Sequence, residues 1–477
     1  MRLLRLLLVC AVLSPGASQA ATVVVNDLGD APGTCPTTCT LRAALAAAQT
    51  ADTIVFDPSL AFPSSLILGG SELSFTRDVT VIGPGPDRLT VSAGAQSRVL
   101  QVLSGSVRLR GVALSSGRHV TPNGLSGTPG TGQAGQSALA AEGGCIRVSE
   151  TASLRLERVA LVSCQARGGD AGAGGLGMGG VLGGPGGSGG NGGDALGGAI
   201  ASFGALTLVD SSIQGALAIG GNGGRGGDGG DGMTTDGFAG SGGDGGRARG
   251  AALFLGPAAA LVVQNSTLTA GTASGGTGGG GGVSPGLSGS GGDGGAAEGG
   301  GAFLSASLAL ADFEFASLGP NVMQGGPGGS GGGGAPGGTA GQTRGEVVFA
   351  ATTPRARHVA FVGVDDASDC EGSITASGTN LASDASCGFG LQSSFAQTFA
   401  GPAVEEISGR AVLRPLTGSL VIDAAVNCAD LDGTVYVTDG VGRPRPQDGD
   451  GVGQTLCDLG AFEAGAYLFR NGFESDL

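Results

Sequence analysis

Apolar and polar residues alternate in short runs along this chain, and one such pattern recurs. It is an apolar-x-apolar pair followed five residues later by a third apolar residue, as in "VRLRGVAL". The five copies contain Val107, Leu109 and Leu114; Leu154, Leu156 and Leu161; Leu206, Leu208 and Ile213; Leu261, Val263 and Leu268; and Leu308, Leu310 and Phe315. Their middle residues are 47, 52, 55 and 47 positions apart. A second motif, "GGCIRV" and its relatives at Gly144, Gly198, Gly250 and Gly301, recurs with nearly the same period. A period of this length indicates a repeat architecture.

The repeat unit has the chemistry of strands, because alternation with period two is bounded by glycine, Asn/Asp and Ser/Thr. One unit cannot bury its own apolar face, so neighbouring units must stack. Short strands that recur once per unit favour an all-β fold, a parallel β-helix. Asp210, Asn265 and Asp312 each follow the middle apolar residue by two positions, and we predict that they fix one corner in successive coils. A β-propeller, with four strands per blade, and a β-sandwich remain alternatives.

Glycine-rich tracts separate the repeated strands, at about 165–198, 219–250, 270–301 and 324–345. They consist largely of Gly-Gly-x triplets such as "GGNGGRGGDGGDG", which can form an extended helix with three residues per turn. Because each tract leaves its unit at the same place, all four should project from one side as a packed flange or a flexible fringe. Ordering glycine is entropically costly, so we expect partial order at most.

The two ends of the chain differ from the repeats. "CTLRAALAAAQ" (39–49) is alanine-rich and begins with an N-cap candidate, Thr40, which predicts a helix that caps the first coil. The predicted organisation is a signal peptide (1–20), an N-terminal cap with the first coils (21–120), coils with four glycine-rich insertions (121–350), last coils with a disulfide-tied C-terminal cap (351–465), and a tail (466–477).

The first twenty residues have the features of a secretory signal peptide. Arg2 and Arg5 precede the apolar run "LLLVCAVL", and small residues at Ser18 and Ala20 favour cleavage after Ala20. The formal net charge is −15, and every basic side chain is arginine or histidine. Such an acidic chain disfavours nucleic acid and anionic lipid as partners. No later apolar stretch reaches the roughly 18 residues of a spanning helix. We expect an exported monomer, extracellular or on the outer cell surface, with no integral membrane span.

Eight cysteines follow the predicted leader, as neighbouring pairs: Cys35 and Cys39, Cys145 and Cys164, Cys370 and Cys387, Cys428 and Cys457. An even count after an export signal predicts disulfides formed in an oxidising compartment. Pairing in sequence order is the simplest of the many possible connectivities. A metal site is disfavoured, since no histidine or second Cys-x-x-Cys lies near.

Three segments resemble a group of exported bacterial proteins. "CTLRAALAAAQTADTIVFD" (39–57) is similar to the CSLREA motif through Cys39, Leu41, Arg42 and Ala44, although Ala43 replaces the usual glutamate. "GGAIASFGALTLVDSSI" resembles the Gly-Gly-Ala-Ile coils of polymorphic outer-membrane proteins, and "GRPRPQDGDGVGQTLCDLGAFEAG" (442–465) resembles the choice-of-anchor Q domain. The resemblance implies a right-handed parallel β-helix at the cell surface or secreted, with no defined reaction.

Candidate chemistry is sparse in this sequence. A P-loop requires lysine, which the chain lacks, and the tracts are not collagen because glycine does not recur strictly every third residue with abundant proline. Isolated calcium-type motifs place Asp194, Asp231, Asp448 and Asp450 as weak ligand candidates.

An enzyme acting on polysaccharide is the competing hypothesis. It would use the acidic cluster Asp365, Asp366 and Asp369 with His358, or arginines on a coil face: Arg108, Arg110, Arg155 and Arg158. Solvated loop acids and surface arginines explain both sets adequately, and a chain with no tryptophan and two tyrosines lacks the aromatic platforms expected along a sugar-binding groove. We therefore predict no catalytic residue, no cofactor and no metal, and a non-enzymatic scaffold or adhesin-like protein whose ligand is an unknown surface or matrix component.

Overall fold

A computed structural model describes residues 20–364, 367–405 and 408–465. The predicted signal peptide, except for Ala20, the tail 466–477, and the candidate acids Asp365 and Asp366 lie outside these residues.

The repeated strands stack into three parallel sheets that run the length of the molecule. Sheet A contains β1 (Thr22–Val25), β2 (Asp52–Phe56), β5 (Val79–Ile82), β8 (Gly105–Arg110), β13 (Ala152–Glu157), β19 (Ala205–Val209), β25 (Ala260–Gln264), β30 (Leu310–Glu314), β35 (Arg355–Arg357) and β38 (Thr375–Ser377). Sheet B contains β3 (Ser64–Ile67), β6 (Leu89–Ser92), β9 (Ala113–Ser115), β14 (Ala160–Val162), β20 (Ser212–Gln214), β26 (Thr267–Thr269), β31 (Ser317–Leu318), β36 (Ala360–Phe361), β39 (Leu381–Ala382) and β40 (Leu391–Gln392). Sheet C contains β4 (Leu73–Phe75), β7 (Leu100–Val102), β12 (Ile146–Val148), β18 (Ile200–Ser202), β24 (Leu253–Leu255), β29 (Ala302–Leu304), β34 (Val348–Ala350) and β37 (Cys370–Glu371). Each strand pairs in parallel with its equivalents in the coils before and after it, so the fold is a parallel β-helix, which confirms the prediction.

The inward side chains of the sheets form one continuous core. Leu156, for example, is fully buried and lies in register with Leu109 and Leu208 of the adjacent coils. Burying one such leucine contributes about 1.5–3 kcal/mol, which each coil gains only when its neighbours cover it.

The predicted apolar triads are in register in four of the five copies. The fifth prediction, Leu308, Leu310 and Phe315, is wrong: β30 pairs Val263 with Phe313, and β31 pairs Leu268 with Leu318. The inward triad of that coil is therefore Ala311, Phe313 and Leu318, while Leu310 remains 38% exposed. Ala311 occupies a position at which the other four copies have valine or leucine. Leu308 and Leu310, which precede it, matched the apolar spacing and were therefore assigned to the triad.

Left-handed residues form the corner between sheets A and B in successive coils. Asp210 (φ 47°) and Asn265 (φ 50°) occupy it as predicted, and Asn265 donates a hydrogen bond from Nδ2 to Asp210 Oδ1 at 3.3 Å. Asp312 does not, because it lies within β30 opposite Val262 and pairs with Arg355. Phe315 (φ 47°) takes the corner in that coil. Asp and Asn tolerate this conformation, whereas phenylalanine adopts it only where its surroundings enforce it.

The glycine-rich insertions are ordered, and there are five of them in the described chain: 121–140, 168–194, 220–247, 275–296 and 325–342. The prediction of four tracts with partial order at most is therefore wrong. Each insertion leaves the solenoid from sheet D and re-enters at sheet E. Sheet D contains β10 (Arg118–Val120), β15 (Gln165–Arg167), β21 (Leu217–Ile219), β27 (Gly271–Ser274) and β32 (Asn321–Gln324). Sheet E contains β11 (Ala141–Glu142), β17 (Ala195–Leu196), β23 (Ala248–Arg249), β28 (Ala297–Glu298) and β33 (Thr343–Arg344). The five hairpins together form a two-layer plate, which we call the flange, with an outgoing and a returning layer.

Backbone hydrogen bonds join neighbouring insertions and the two layers of the flange. They recur every three residues, which is the repeat of a polyproline-II-type helix. The triplet Gly223-Gly224-Arg225 illustrates the rule. Gly223 N–H donates to Thr277 O (2.8 Å) of the next insertion in the same layer, and Gly224 N–H donates to Gly190 O (2.9 Å) in the other layer. The third residue of each triplet faces solvent. The hydrogen bonds between insertions offset the entropy lost by the glycines, a gain that no single tract reveals on its own.

Away from the tips of the first and last insertions, where Gly130, Gly132, Gly333 and Gly334 have a positive φ, glycine is required in the flange by close packing rather than by backbone conformation. Between Gly215 and Gly250, all of it described, no glycine has a positive φ. A Cβ atom on Gly223 or Gly226 would nevertheless lie closer than 3.0 Å to the carbonyl oxygen of Gly243 or Gly240, respectively, in the other layer. The two layers can approach this closely only where the residue carries a hydrogen in place of a side chain.

The helix predicted at the N-terminal end is present as α1 (Leu41–Ala47). Thr40 is its N-cap and accepts a hydrogen bond at Oγ1 from Ala43 N. Leu41 and Ala44 are buried in the core, so the helix covers the end of the solenoid. Arg42 pairs with Asp30 (2.8 Å) and also donates to the carbonyl oxygens of residues 71 and 72, which fastens the cap to the first coils.

The C-terminal region does not simply end the stack. After a short helix, α2 (Phe395–Thr398), the chain forms the antiparallel hairpin β41 (Phe399–Glu405) and β42 (Arg410–Pro415). Residues 408–465, which we call the C-terminal return, then lie along the corner between sheets A and B. Ala411 N–H donates to Ser212 Oγ, and Gly460 N–H donates to His358 O. The return is therefore attached to coils far from it in sequence.

Candidate functional site

The described residues form four disulfides: Cys35–Cys39, Cys145–Cys164, Cys370–Cys387 and Cys428–Cys457. Each joins cysteines that are neighbours in the sequence. Cys145–Cys164 is buried inside one coil, and Cys428–Cys457 closes a loop of the C-terminal return. All four are structural cross-links within the cap, the coils or the return.

The solvent-facing third residues of the flange triplets form regular rows. On the outgoing layer, Asp170 Oδ1 accepts a hydrogen bond from Asn222 N (2.8 Å), and Asn222 Oδ1 accepts one from Thr277 N (3.0 Å). On the returning layer, Asp244 Oδ1 accepts from Asp293 N, 2.9 Å away. In each triplet the two glycine N–H groups donate to backbone carbonyls, and these side-chain oxygens accept a hydrogen bond from the N–H of the third residue. This explains the preference for Asp, Asn, Ser and Thr at these positions.

The free edge of the flange differs from its faces because it is apolar. There β16 (Gly180–Leu182) pairs with β22 (Gly232–Thr235) of the next insertion. Seven large apolar side chains at this edge are 48–87% exposed: Leu176, Met178, Val181, Leu182, Met233, Phe238 and Leu287. We call this group the apolar edge. Exposed apolar patches of this kind commonly mark interaction sites.

A cleft of about 850 Å³ lies between the coils and the C-terminal return. Its floor contains the ends of β5, β8, β13 and β19 and the corner residues that follow them, and its far wall is formed by the return. The described residues that line it include four arginines and three acids: Arg108, Arg110, Arg158, Arg410, Asp87, Glu157 and Asp210. Four coils spaced by about 4.8 Å make the floor about 14 Å long.

The charges of the cleft are only partly neutralised. Arg108 Nη2 lies 2.5 Å from Glu157 Oε2, and Arg155 contacts the other carboxylate oxygen. Burial alone would raise the pKa of Glu157, but hydrogen bonds from Arg155 and Arg108 hold it below its usual value. Within the described residues, neither Arg110 nor Arg158 has an acidic partner at ion-pair distance.

Arg410 enters the cleft from the return. It is 5% exposed and donates from Nη1 to Asp210 O at 2.9 Å, and its buried Nε has no hydrogen-bond partner among the described residues. Burial raises the pKa of Asp210 to about 6, against the opposing charge of Arg410. Sequence reasoning identified Arg108, Arg110 and Arg158 as facing outward from the coils, but it missed Arg410, whose contact with Asp210 joins residues 200 positions apart.

Of the acidic cluster considered for hydrolysis, the structure describes Asp369, and this residue has a structural role. Asp369 accepts hydrogen bonds from Gly363 N and from the backbone and hydroxyl of Ser383, which ties two turns together beside the Cys370–Cys387 disulfide. His358 is fully buried against Phe315, with ring centroids 4.9 Å apart, and burial lowers its pKa to about 4. It is therefore a neutral core residue at physiological pH.

The candidate calcium ligands fall in separate places. Asp194 binds Arg249 and Arg247 N at the root of the flange, whereas Asp231 lies near its apolar edge. Asp448 and Asp450 do come together, with Asp423 as a third carboxylate, all within 4.8 Å of one another. Asp423 was missed because it precedes them by about 25 residues. Hydrogen bonds from backbone amides already occupy these carboxylates, as at Asp448, which accepts from Gly451 N and Gly453 N.

We expect EDTA to leave the thermal unfolding of the protein unchanged, because these backbone hydrogen bonds hold the three carboxylates without an ion. Differential scanning calorimetry with EDTA and with added Ca²⁺ checks this. A melting temperature that falls in EDTA and recovers with Ca²⁺ in the parent, but not in D448N, would establish a calcium module.

The helices of the described residues include none that could span a membrane. Comparisons with protein-family models and with curated proteins gave no match. Two solved structures are similar in part. The nine polyproline type II helical bundle antifreeze protein of the springtail Granisotoma rainieri is 22% identical, covering 46% of this chain and 90% of its own, with a TM-score of 0.10. The PL6 family alginate lyase AlyGC is 12% identical, covering 82% of this chain and 55% of its own, with a TM-score of 0.20. Similarities this low carry no argument about function.

Proposed function

We propose that this is an exported, non-enzymatic protein of the cell surface or its surroundings, with a scaffold or adhesin-like role in which the flange is the contact element. The observation that carries this is the apolar edge of an otherwise closely packed, hydrogen-bonded plate. A plate without room for side chains between its layers holds the edge in a fixed position, away from the solenoid. Export is supported by the four disulfides, which persist in oxidising compartments, and by the resemblance to CSLREA-type proteins.

The competing function is that of a polysaccharide lyase or hydrolase, and the observation in its favour is the cleft that contains both arginines and acids. Against it, Arg108 and Arg155 are engaged by Glu157, and His358 is buried and uncharged at neutral pH. Proton transfer to and from a sugar needs accessible groups whose pKa values lie near the working pH.

An adhesion experiment tests the proposal. Purified, labelled protein is added to cells that lack the gene, and bound protein is measured after washing. The triple variant L182S/M233S/F238S should bind several-fold less than the parent, since it replaces three of the seven exposed apolar side chains of the edge with polar ones. The matched control V435S/V437S changes two exposed valines of the C-terminal return, 62% and 70% exposed, and should bind like the parent.

Two results would contradict the proposal. One is equal binding by the parent and the edge variant. The other is release of reducing ends or unsaturated sugars from a panel of neutral and acidic polysaccharides, above a heat-denatured control.

Fractionation of producing cells, with and without the last ten residues, tests the location: we expect the protein in the medium or at the cell surface.

A further inference from the structure

We propose that the cleft between the coils and the C-terminal return binds an acidic oligosaccharide, a chain of sugars that carry carboxylates. This inference concerns a second site, separate from the apolar edge, and does not depend on the adhesion proposal.

Among the described residues, the charge balance of the cleft is the reverse of that of the whole protein. The chain has 24 basic against 39 acidic residues, whereas the described residues that line the cleft include four arginines and three acids. Two of the arginines, Arg110 and Arg158, belong to adjacent coils and have no acidic partner among the described residues. Unneutralised guanidinium groups at successive steps along one groove suit an elongated ligand that carries repeated anionic groups. A guanidinium binds a carboxylate through two parallel hydrogen bonds.

Arg410 shows that the site is built rather than merely an exposed patch. Its side chain is 95% buried by the coils and the return, and it lines the cleft. Its Nη1 donates to Asp210 O at 2.9 Å, so the coils hold the guanidinium in a fixed position at the wall. A ligand carboxylate in the cleft would therefore meet a charged donor group that needs no further ordering.

The three acids favour a sugar over other anions. Asp87, Glu157 and Asp210 would repel a ligand with a phosphate at every step, such as a nucleic acid, and the net charge of −15 adds to that repulsion. The same carboxylates accept hydrogen bonds from hydroxyl groups, which a uronic acid carries beside its carboxylate. Pro84, Pro86 and Val441 supply small apolar surfaces against which the C–H faces of sugar rings can pack.

Isothermal titration with a short oligogalacturonate tests the inference on the full mature chain. We expect saturable binding that weakens as salt is added. The double variant R110Q/R158N should bind at least about tenfold more weakly, because it removes the two unneutralised charges. Asparagine is chosen at residue 158 because it tolerates the left-handed backbone there, φ 51°. R344Q replaces an exposed arginine of β33, removes a charge outside the cleft and should bind like the parent.

Circular dichroism melts of each variant show whether it is folded, and R110Q alone replaces the double variant if that one is not. Three outcomes would overturn the inference: equal affinity of parent and folded cleft variant, equal affinity for a neutral oligosaccharide of the same length, or tighter binding of polyglutamate or of inorganic phosphate. Heparin oligosaccharides distinguish sulfate from carboxylate as the preferred group. Cleavage of the bound oligosaccharide would contradict the non-enzymatic proposal while leaving the binding inference intact.

Discussion

Replacement of Gly279 by alanine should open the flange, whereas the same replacement at the adjacent Gly280 should be tolerated. Gly279 is an inward glycine of the fourth insertion, and its N–H donates to Gly243 O at 2.7 Å. A Cβ atom there would lie closer than 3.0 Å to the carbonyl oxygen of Gly224, a backbone atom that cannot rotate away. Overpacking of this kind costs about 3 kcal/mol. We expect a lower melting temperature and rapid proteolysis within the insertions.

Gly280 is the matched control because it occupies the solvent-facing third position of its triplet. A Cβ atom there would lie 3.5 Å from Ser330 Oγ, an ordinary contact. Its φ is not positive, so alanine should be neutral or stabilise by up to about 1 kcal/mol through the unfolded state. If both variants melted alike and resisted protease alike, close packing between neighbouring insertions of one layer would be wrong.

Replacement of Arg445 by methionine should release the C-terminal return from the coils. Arg445 is fully buried, and its Nε lies 3.1 Å from Glu463 Oε2. It also donates from Nη2 to Gly460 O, beside the place where the return contacts His358. Without it, Asp458 and Glu463 would be buried acids with no counter-charge. Removing one partner of a buried ion pair typically costs about 3–5 kcal/mol.

The pH dependence distinguishes this cause from lost packing. Burial raises the pKa of both Asp458 and Glu463 even with Arg445 present. A carboxyl with a raised pKa in the folded state binds its proton more tightly there, so its contribution to stability is full below the unfolded pKa of about 4 and falls as the pH rises above it. The defect of R445M should therefore be mild in acid and severe at neutral pH. R443M serves as the control. It replaces an arginine two residues away that stacks on Phe462 in the parent. A defect of R445M that is independent of pH would contradict the electrostatic explanation.

The solenoid could be predicted from the sequence because its signal is local and repeated. Each coil needs inward apolar residues at fixed spacing, and four of the five triads were recognised from that spacing alone. The fifth failed because Ala311 occupies an inward position that is valine or leucine in the other copies, while Leu310, one residue earlier, is partly exposed. The first insertion, 121–140, was missed because it contains little Gly-Gly-x, and only its hydrogen bonds, such as Gly124 N to Asp170 O, place it in the flange.

The order of the flange and the cleft could not be predicted, because both depend on contacts between residues remote in sequence. The cost of ordering a glycine can be read from one tract, but the compensating hydrogen bonds join tracts about fifty residues apart, as between Gly223 and Thr277. Likewise the outward arginines of β8 and β13 are visible in the pattern. The opposite wall of the cleft, however, is formed by the C-terminal return, which contributes Arg410 and Thr438.

The central claim is that the glycine-rich insertions form one ordered, hydrogen-bonded plate, and amide hydrogen exchange tests it most directly. The amides of Gly276, Gly279 and Gly282 donate across the layers to Gly246, Gly243 and Gly240. We predict that they exchange as slowly as amides of the β-helix sheets, since the plate must open before they reach water. Exchange of these glycines at the rate of an unstructured chain, while the sheets stay protected, would contradict the account.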